Sequence, residues 1–359
     1  MSLLQRNLVL AAAMVAATTA AFGARQVTQA SYATPLRASL FADSAAHGFN
    51  GSVQLKLTNN SNQIVKVPYW QLPSDRMESN LFQVTTGGHS ATYTGPMVKR
   101  GAPTDADMVS FQPYETKVVS VNLAKFYDLK GGDVNVRFNS VLQDSHAPGH
   151  LAVLQTPMLR MWLDGASIQH NNDNAIATAK PGGGGTVVNG VNFVGCSTTQ
   201  ITGAGDAVVQ ARLYSENGKG YLNLGVAGAR YTTWFGAYTS ARFSTMQQHF
   251  VAIDNALDQN AGQVTIDCTC NQSYYAFVYP DKPYQIHVCK AFWTAPLTGT
   301  DSKAGTLIHE TSHFNVVAST NDWVYGQTNA KSLAISNPTN AVDNADNHEY
   351  LAENNPFQN

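Results

Sequence analysis

The sequence predicts two folded domains of different class, an antiparallel β-sandwich-like domain followed by an α+β domain. Three observations carry this. From about Tyr32 to Leu154, apolar and polar residues alternate in short runs separated by turn-forming residues. The stretch Ala177-Thr-Ala-Lys-Pro-Gly-Gly-Gly-Gly-Thr186 then offers nothing to pack into a core and reads as a flexible linker. Beyond Phe193 the apolar residues recur mostly at helical spacing. A chain of 359 residues is long enough for two cores.

Taken in order, Arg6 precedes an apolar run from Leu8 to Ala17, and small residues continue to Ala24. That is the layout of a secretory signal peptide over residues 1–23, cleaved near Ala20–Ala24. The run is too short to span a bilayer, and no other stretch of about 18 or more apolar residues occurs. An exported, soluble protein without a membrane partner is expected. The β-rich domain occupies residues 24–176. Gly51–Thr58 alternates as a half-buried strand does, and Asn59–Asn62 is a turn. Gln63–Val67, Leu81–Thr85, Met108–Phe111, Lys117–Leu123 and Asp133–Phe138 continue the series. His47, His89, His146 and His150 are scattered through this part and read as surface residues.

The linker spans residues 177–192 and the α+β domain residues 193–359. Thr199–Glu216 reads as a helix ended by Gly218 and Gly220, and Ser240–Asp258 as a second helix. Gln263–Asp267, Tyr274–Tyr279 and Gln285–Val288 are strand-like. Helices are expected at Ser302–Val317, Gln327–Ser336 and Ala341–Asn354. All four cysteines, Cys196, Cys268, Cys270 and Cys289, fall in this domain. An even count in an exported chain implies disulfides. Cys268 and Cys270 are too close to pair together without strain, so each reaches elsewhere. The net charge of −2 implies no nucleic-acid or other polyanion partner.

Chemistry concentrates in the helix Ser302–Val317, which contains His309-Glu310-Thr311-Ser312-His313. Residues four apart share a helix face, so His309 and His313 can ligate one zinc ion. Glu310 beside them can take a proton from water. A catalytic zinc takes three protein ligands and leaves one position for water. One known pattern needs a histidine at position 319, which is Ser319 here. The nearest carboxylate is Asp322, which a turn after Val317 returns to the metal, with Tyr325 and Gly326 close behind. Tyr325 is the candidate donor to an oxyanion. Asp346 and Glu349 lie three apart and share a helix face. By spacing alone they read first as a solvated acidic face, and only second as a site for a cation that relieves their repulsion.

His-Glu-x-x-His followed by Asp322-x-x-Tyr325-Gly326 resembles the aspzincin metallopeptidases, with Ser319 where the family pattern has Gly. Further collinear stretches resemble their peptidyl-Lys metalloendopeptidase branch. They are Ala229-Arg-Tyr-Thr-Thr-Trp-Phe-Gly236, Asp267-Cys-Thr-Cys270, Ala291-Phe-Trp293, Gly299-Thr-Asp-Ser-Lys-Ala-Gly-Thr-Leu-Ile-His-Glu310 and Asn344-Ala-Asp-Asn-His-Glu-Tyr350. The resemblance covers roughly Gly195–Pro356. More loosely, Leu123-Ala-Lys-Phe-Tyr-Asp-Leu129 resembles the family's propeptide.

The resemblance implies a zincin-type α+β peptidase domain with one Zn2+ per chain and Cys196–Cys268 and Cys270–Cys289 pairing. It implies an oxyanion role for Tyr325, and a pocket built by Asp346 and Glu349 for the lysine that follows the scissile bond. The expected activity is therefore a secreted zinc endopeptidase cutting Xaa-Lys bonds in protein and peptide substrates. It is made as a zymogen inhibited by its own propeptide, and a monomer is expected. Ala179–Lys180 is the candidate self-cleavage bond, and Lys180 the nearest candidate to occupy the acidic pocket beforehand. Gln285–Val288 is the candidate edge strand for substrate backbone. A deuterolysin-like peptidase of broader preference is the rival reading. A secreted protein that binds zinc without catalysis is a third, and Glu310 argues against it because a structural site needs no base.

Overall fold

The computed structural model describes residues 34–42, 50–144, 147–165 and 185–359. The expected signal peptide, His47, His146 and the linker segment with Lys180 lie outside the described residues.

The N-terminal region is β-rich. Its strands are β1 (Leu36–Ala42), β2 (Ser52–Asn59), β3 (Val65–Pro68), β4 (Phe82–Thr86), β5 (His89–Ser90), β6 (Met97–Lys99), β7 (Met108–Phe111), β8 (Thr116–Asn122), β9 (Gly132–Gln143), β10 (Leu151–Gln155) and β11 (Leu159–Leu163). One sheet runs β1-β2-β8, a second β10-β9-β4-β5 with β11 also on β9, and β3 pairs β7. Every pairing among these strands is antiparallel. The alternation read from sequence has its physical counterpart in β2, where Val53, Leu55 and Leu57 are fully buried and the residues between them are not. Each such side chain contributes roughly 1.5–3 kcal/mol of burial free energy. His89 and His150 are exposed, as expected of surface residues.

The second region opens with β12 (Thr186–Val188) and β13 (Val191–Val194). The expected linker therefore ends earlier than residue 192. Asn189 and Gly190 both have positive φ, +50° and +79°, and form the tight turn between these strands. There follow α1 (Thr198–Asn223), α2 (Ala229–Phe235), α3 (Ser240–Leu257), β14 (Thr265–Asp267), β15 (Ala276–Val278), β16 (Gln285–Val288), α4 (Lys290–Thr294), α5 (Lys303–His313), α6 (Gln327–Ser336), α7 (Pro338–Val342) and α8 (Ala345–Glu353). This is an α+β arrangement. Among the described residues no helix is long and apolar enough to cross a membrane.

Two expected boundaries shift for identifiable reasons. Helix α1 continues through Gly218 and Gly220. A Cβ at position 218 would stand 2.5 Å from Phe250 Cε1, so glycine there admits the α3 ring instead of ending the helix. The expected last helix splits at Asp343–Asn344, which frees Asn344 to clamp a neighbouring loop. Its Oδ1 accepts from Trp323 N (2.8 Å) and Val324 N (3.1 Å).

The sheet of this region has the order β12-β13-β14-β16-β15-β6. Strand β16 is interior, between β14 and β15, so Gln285–Val288 is not the edge strand that the sequence suggested. The edge is β15, because its partner on the far side, β6, comes from the N-terminal region. Disulfides Cys196–Cys268 and Cys270–Cys289 form as the resemblance implied, tying β13 to the end of β14 and the β14–β15 connection to the end of β16.

Candidate active site

Helix α5 is buried from Ala304 to His313. Ser302 caps it, its Oγ accepting from Gly305 N at 2.9 Å. Glu353 of α8 in turn accepts from Ser302 N and Oγ at 2.9 and 2.8 Å. The capped helix thus sets His309 and His313 on one face, their ring centroids 4.8 Å apart.

After α5 the chain reverses. Ser319 takes φ +53°, a left-handed conformation that glycine adopts without strain. This is the position where the aspzincin pattern has Gly. Ser319→Gly is therefore expected to stabilise the fold by about 0.5–1 kcal/mol, read as a rise in Tm of the metal-loaded protein. A lower Tm would show that the bond from Ser319 Oγ to Asn315 Oδ1 matters more than the backbone strain. The turn lays Thr320 O 2.8 Å from His313 Nδ1, so that ring nitrogen donates to the carbonyl and Nε2 carries the lone pair. The following loop is stitched to the α7–α8 junction by Asn321 N donating to Asp343 O (2.7 Å) and Ala345 N to Asn321 O (3.0 Å). Asp343, whose carboxyl burial pushes up to about 6, accepts from Asn321 Nδ2 and Trp323 Nε1.

This loop delivers Asp322 to the histidines. His309 Nε2 is 3.1 Å from Asp322 Oδ1, and His313 Nε2 is 3.4 Å from Asp322 Oδ2. Ligand atoms about 2.0–2.2 Å from a tetrahedral zinc stand about 3.3–3.6 Å apart, so the second spacing falls in that range and the first is slightly shorter. Both Nε2 atoms and Asp322 Oδ1 are buried without a hydrogen-bond partner, as ligand atoms should be. Burial alone would raise the Asp322 carboxyl, but His313 and His309 outweigh it and hold it well below the usual range. Together the three side chains form a buried group that could hold a metal ion.

The other side of the site is filled by β6. It pairs antiparallel with β15, Lys99 opposite Ala276 and Val98 opposite Phe277. Val98 O accepts from Tyr325 Oη at 2.8 Å. Lys99 N donates to Glu310 Oε1 at 3.2 Å, and Val98 N to Asp322 Oδ2 at 3.2 Å. Glu310 Oε2 is buried without a partner, and burial pushes its carboxyl up to about 8. The Lys99 side chain is wholly buried, its Nζ 2.7 Å from Glu349, 2.9 Å from Asp346 and 3.2 Å from Asp301. The Tyr275 and Tyr350 rings flank the ammonium. Burial would lower the Lys99 pKa, yet Asp346 and Glu349 outweigh it and raise it well above the ordinary value.

The structure thus brings together His309, Glu310, His313, Asp322, Tyr325, Asp346 and Glu349. Sequence reasoning missed Asp301, Lys99 with its strand β6, and the edge position of β15. Asp301 stands just before the Ser302 cap, in the Gly299-Thr300-Asp301 stretch, and was not singled out there. Lys99 is an Xaa-Lys pair in a buried three-residue strand, too short to show a period.

A His-Glu-x-x-His helix, an aspartate set against both histidines and a cleft that holds an extended strand are the arrangement of a zinc metalloendopeptidase. Residues 224–353 match the aspzincin family model described as lysine-specific metallo-endopeptidase. The chain is 40% identical over 314 residues to an extracellular protease of Aeromonas hydrophila, covering 86% of this chain and 89% of the relative. It is 34% identical over 330 residues to a peptidyl-Lys metalloendopeptidase of Armillaria mellea, covering 88% and 91%. A solved zinc peptidase from Grifola frondosa aligns at 45% identity over 46% of this chain and 100% of that one, with a TM-score of 0.44. The chain belongs to the aspzincins, in the peptidyl-Lys metalloendopeptidase branch.

Proposed function

We propose that this protein is a secreted zymogen of an endopeptidase that cuts on the N-terminal side of lysine, and that β6 holds it inactive in the manner of a bound substrate. The observation that carries this reading is the placement of the Val98–Lys99 peptide. Its carbonyl oxygen receives Tyr325, its N–H meets Glu310, and its lysine fills the acidic pocket.

In the mature enzyme His309, His313 and Asp322 would hold the zinc. Bound there, zinc supplies a Lewis acid and brings the pKa of water toward about 7. Glu310 accepts a proton and hands it to the departing amine, whose place Lys99 N marks. Tyr325 donates to the carbonyl oxygen as negative charge gathers on it. The backbone of β15 aligns the substrate strand, as it does β6. Asp346, Glu349 and Asp301 take the lysine ammonium. The longer, forked arginine head does not match a pocket closed by Tyr275 and Tyr350.

Maturation then needs two events. The first is a cut in the linker, before β12 begins at Thr186 and with Ala179–Lys180 as a candidate bond. The second is release of β6, which its backbone pairing and Lys99 would otherwise retain.

The test is digestion of a protein of known sequence by activated material, with and without a chelator, followed by sequencing of the new N-termini. Lysine N-termini that vanish with chelator are expected. Mixed N-termini would indicate the broader deuterolysin-like preference, and cleavage indifferent to chelator would overturn the reading.

A further inference from the structure

The acidic pair faces two nitrogen groups at once. On one side stands Lys99 Nζ. On the other, His309 Nδ1 lies 3.0 Å from Asp346 Oδ1 and 3.3 Å from Glu349 Oε2, the same two oxygens that Lys99 contacts. His309 Nδ1 is buried and makes a well-aligned hydrogen bond to neither oxygen. His309, Asp346 and Glu349 would by themselves make a second metal-sized cluster, but Lys99 Nζ stands against both of its carboxylates.

The two carboxylates are not equivalent. Asp346 Oδ2 accepts from Gly326 N at 2.7 Å and from Tyr350 Oη at 3.1 Å. Asp346 is thereby fixed to the loop that carries Asp322 and Tyr325. Among the described residues both Glu349 oxygens lack any such hydrogen bond to the protein frame. A metal-ligating histidine commonly gives its second N–H to a carboxylate. That contact fixes the tautomer and ring orientation and raises the basicity of the ligating nitrogen.

We infer that Asp346 is a positioning residue for the metal as well as a lysine-pocket acid, holding His309 in the Nδ1–H tautomer so that Nε2 faces the zinc, whereas Glu349 serves the lysine alone. This rests on the ligand assignment proposed above. One carboxylate then links lysine recognition to metal retention. Of the pair, only Glu349 can be exchanged to alter specificity while the metal stays in place.

The experiment compares zinc retention against a chelator of known affinity in full-length Glu310→Gln protein, which does not digest itself. Asp346→Asn in that background should lose zinc about 10–100-fold more readily. Glu349→Gln should stay within about twofold of the parent, and His309→Ala should fail to hold zinc. Asp346→Asn retaining zinc like the parent, with His309→Ala losing it, overturns the positioning role. His309→Ala retaining zinc overturns instead the ligand assignment beneath it. Should Asp346→Asn fail to fold, 15N NMR of zinc-loaded parent protein decides the matter. The inference requires a proton on His309 Nδ1, and an unprotonated, metal-bound Nδ1 refutes it.

Discussion

Glu310→Gln is expected to lower kcat/KM by about 10²–10⁴-fold while the zinc content stays at that of the parent. The amide keeps the shape of the side chain and can still meet a backbone N–H where Lys99 N now lies. It cannot accept a proton from water. Because Glu310 is outside the proposed donor set of His309, His313 and Asp322, metal binding should not suffer. Metal analysis beside a peptide-cleavage assay checks both halves. Turnover near the parental rate would remove Glu310 from the mechanism, and joint loss of zinc and activity would place its carboxylate among the ligands.

Lys99→Ala should switch on the uncut precursor. The substitution deletes a wholly buried ammonium and leaves Asp346 and Glu349 together in a dry pocket without their cation. Breaking a buried pair in this way costs about 3–5 kcal/mol, which weakens the hold of β6 by about 10²–10⁴-fold. Strand pairing with β15 remains, so inhibition should loosen without vanishing. The measurement is cleavage of a short Xaa-Lys peptide by precursor whose linker is shown intact on a gel. A Lys99→Ala precursor as silent as the parent would mean that coverage by the strand suffices.

The metal helix and its loop were readable because their chemistry is local. His309, Glu310 and His313 lie within one helical turn of each other, and Asp322 and Tyr325 follow after a single reversal. Strands β2 and β8 were readable because their residues alternate between better and less buried. Interior strands gave less. Val98 and Lys99 are both wholly buried, so no alternation marks β6, and a lysine is not where a reader looks for an interior residue. Its burial makes sense only beside Asp346, Glu349 and Asp301, which are far away in the chain. Edge position is likewise a property of pairing order. Gln285–Val288 and the run containing Ala276–Val278 both read as short strands, and only the sheet shows which of them faces β6. Gly218 misled for a related reason, since its meaning lies in Phe250 across the helix interface.

If β6 departs on maturation as proposed, β15 becomes a bare rim of hydrogen-bonding backbone. Such rims invite other copies of a protein to stack against them, and long ones seed aggregates. This one is only three residues long, Ala276–Val278, and lies between residues tethered by Cys270–Cys289. It can grip a short extended stretch of a client but offers little length for self-assembly. A lysine within a regular helix or a tight turn cannot lie along it. Native proteins should therefore be nicked in frayed or looped regions first, and compact ones spared until they open.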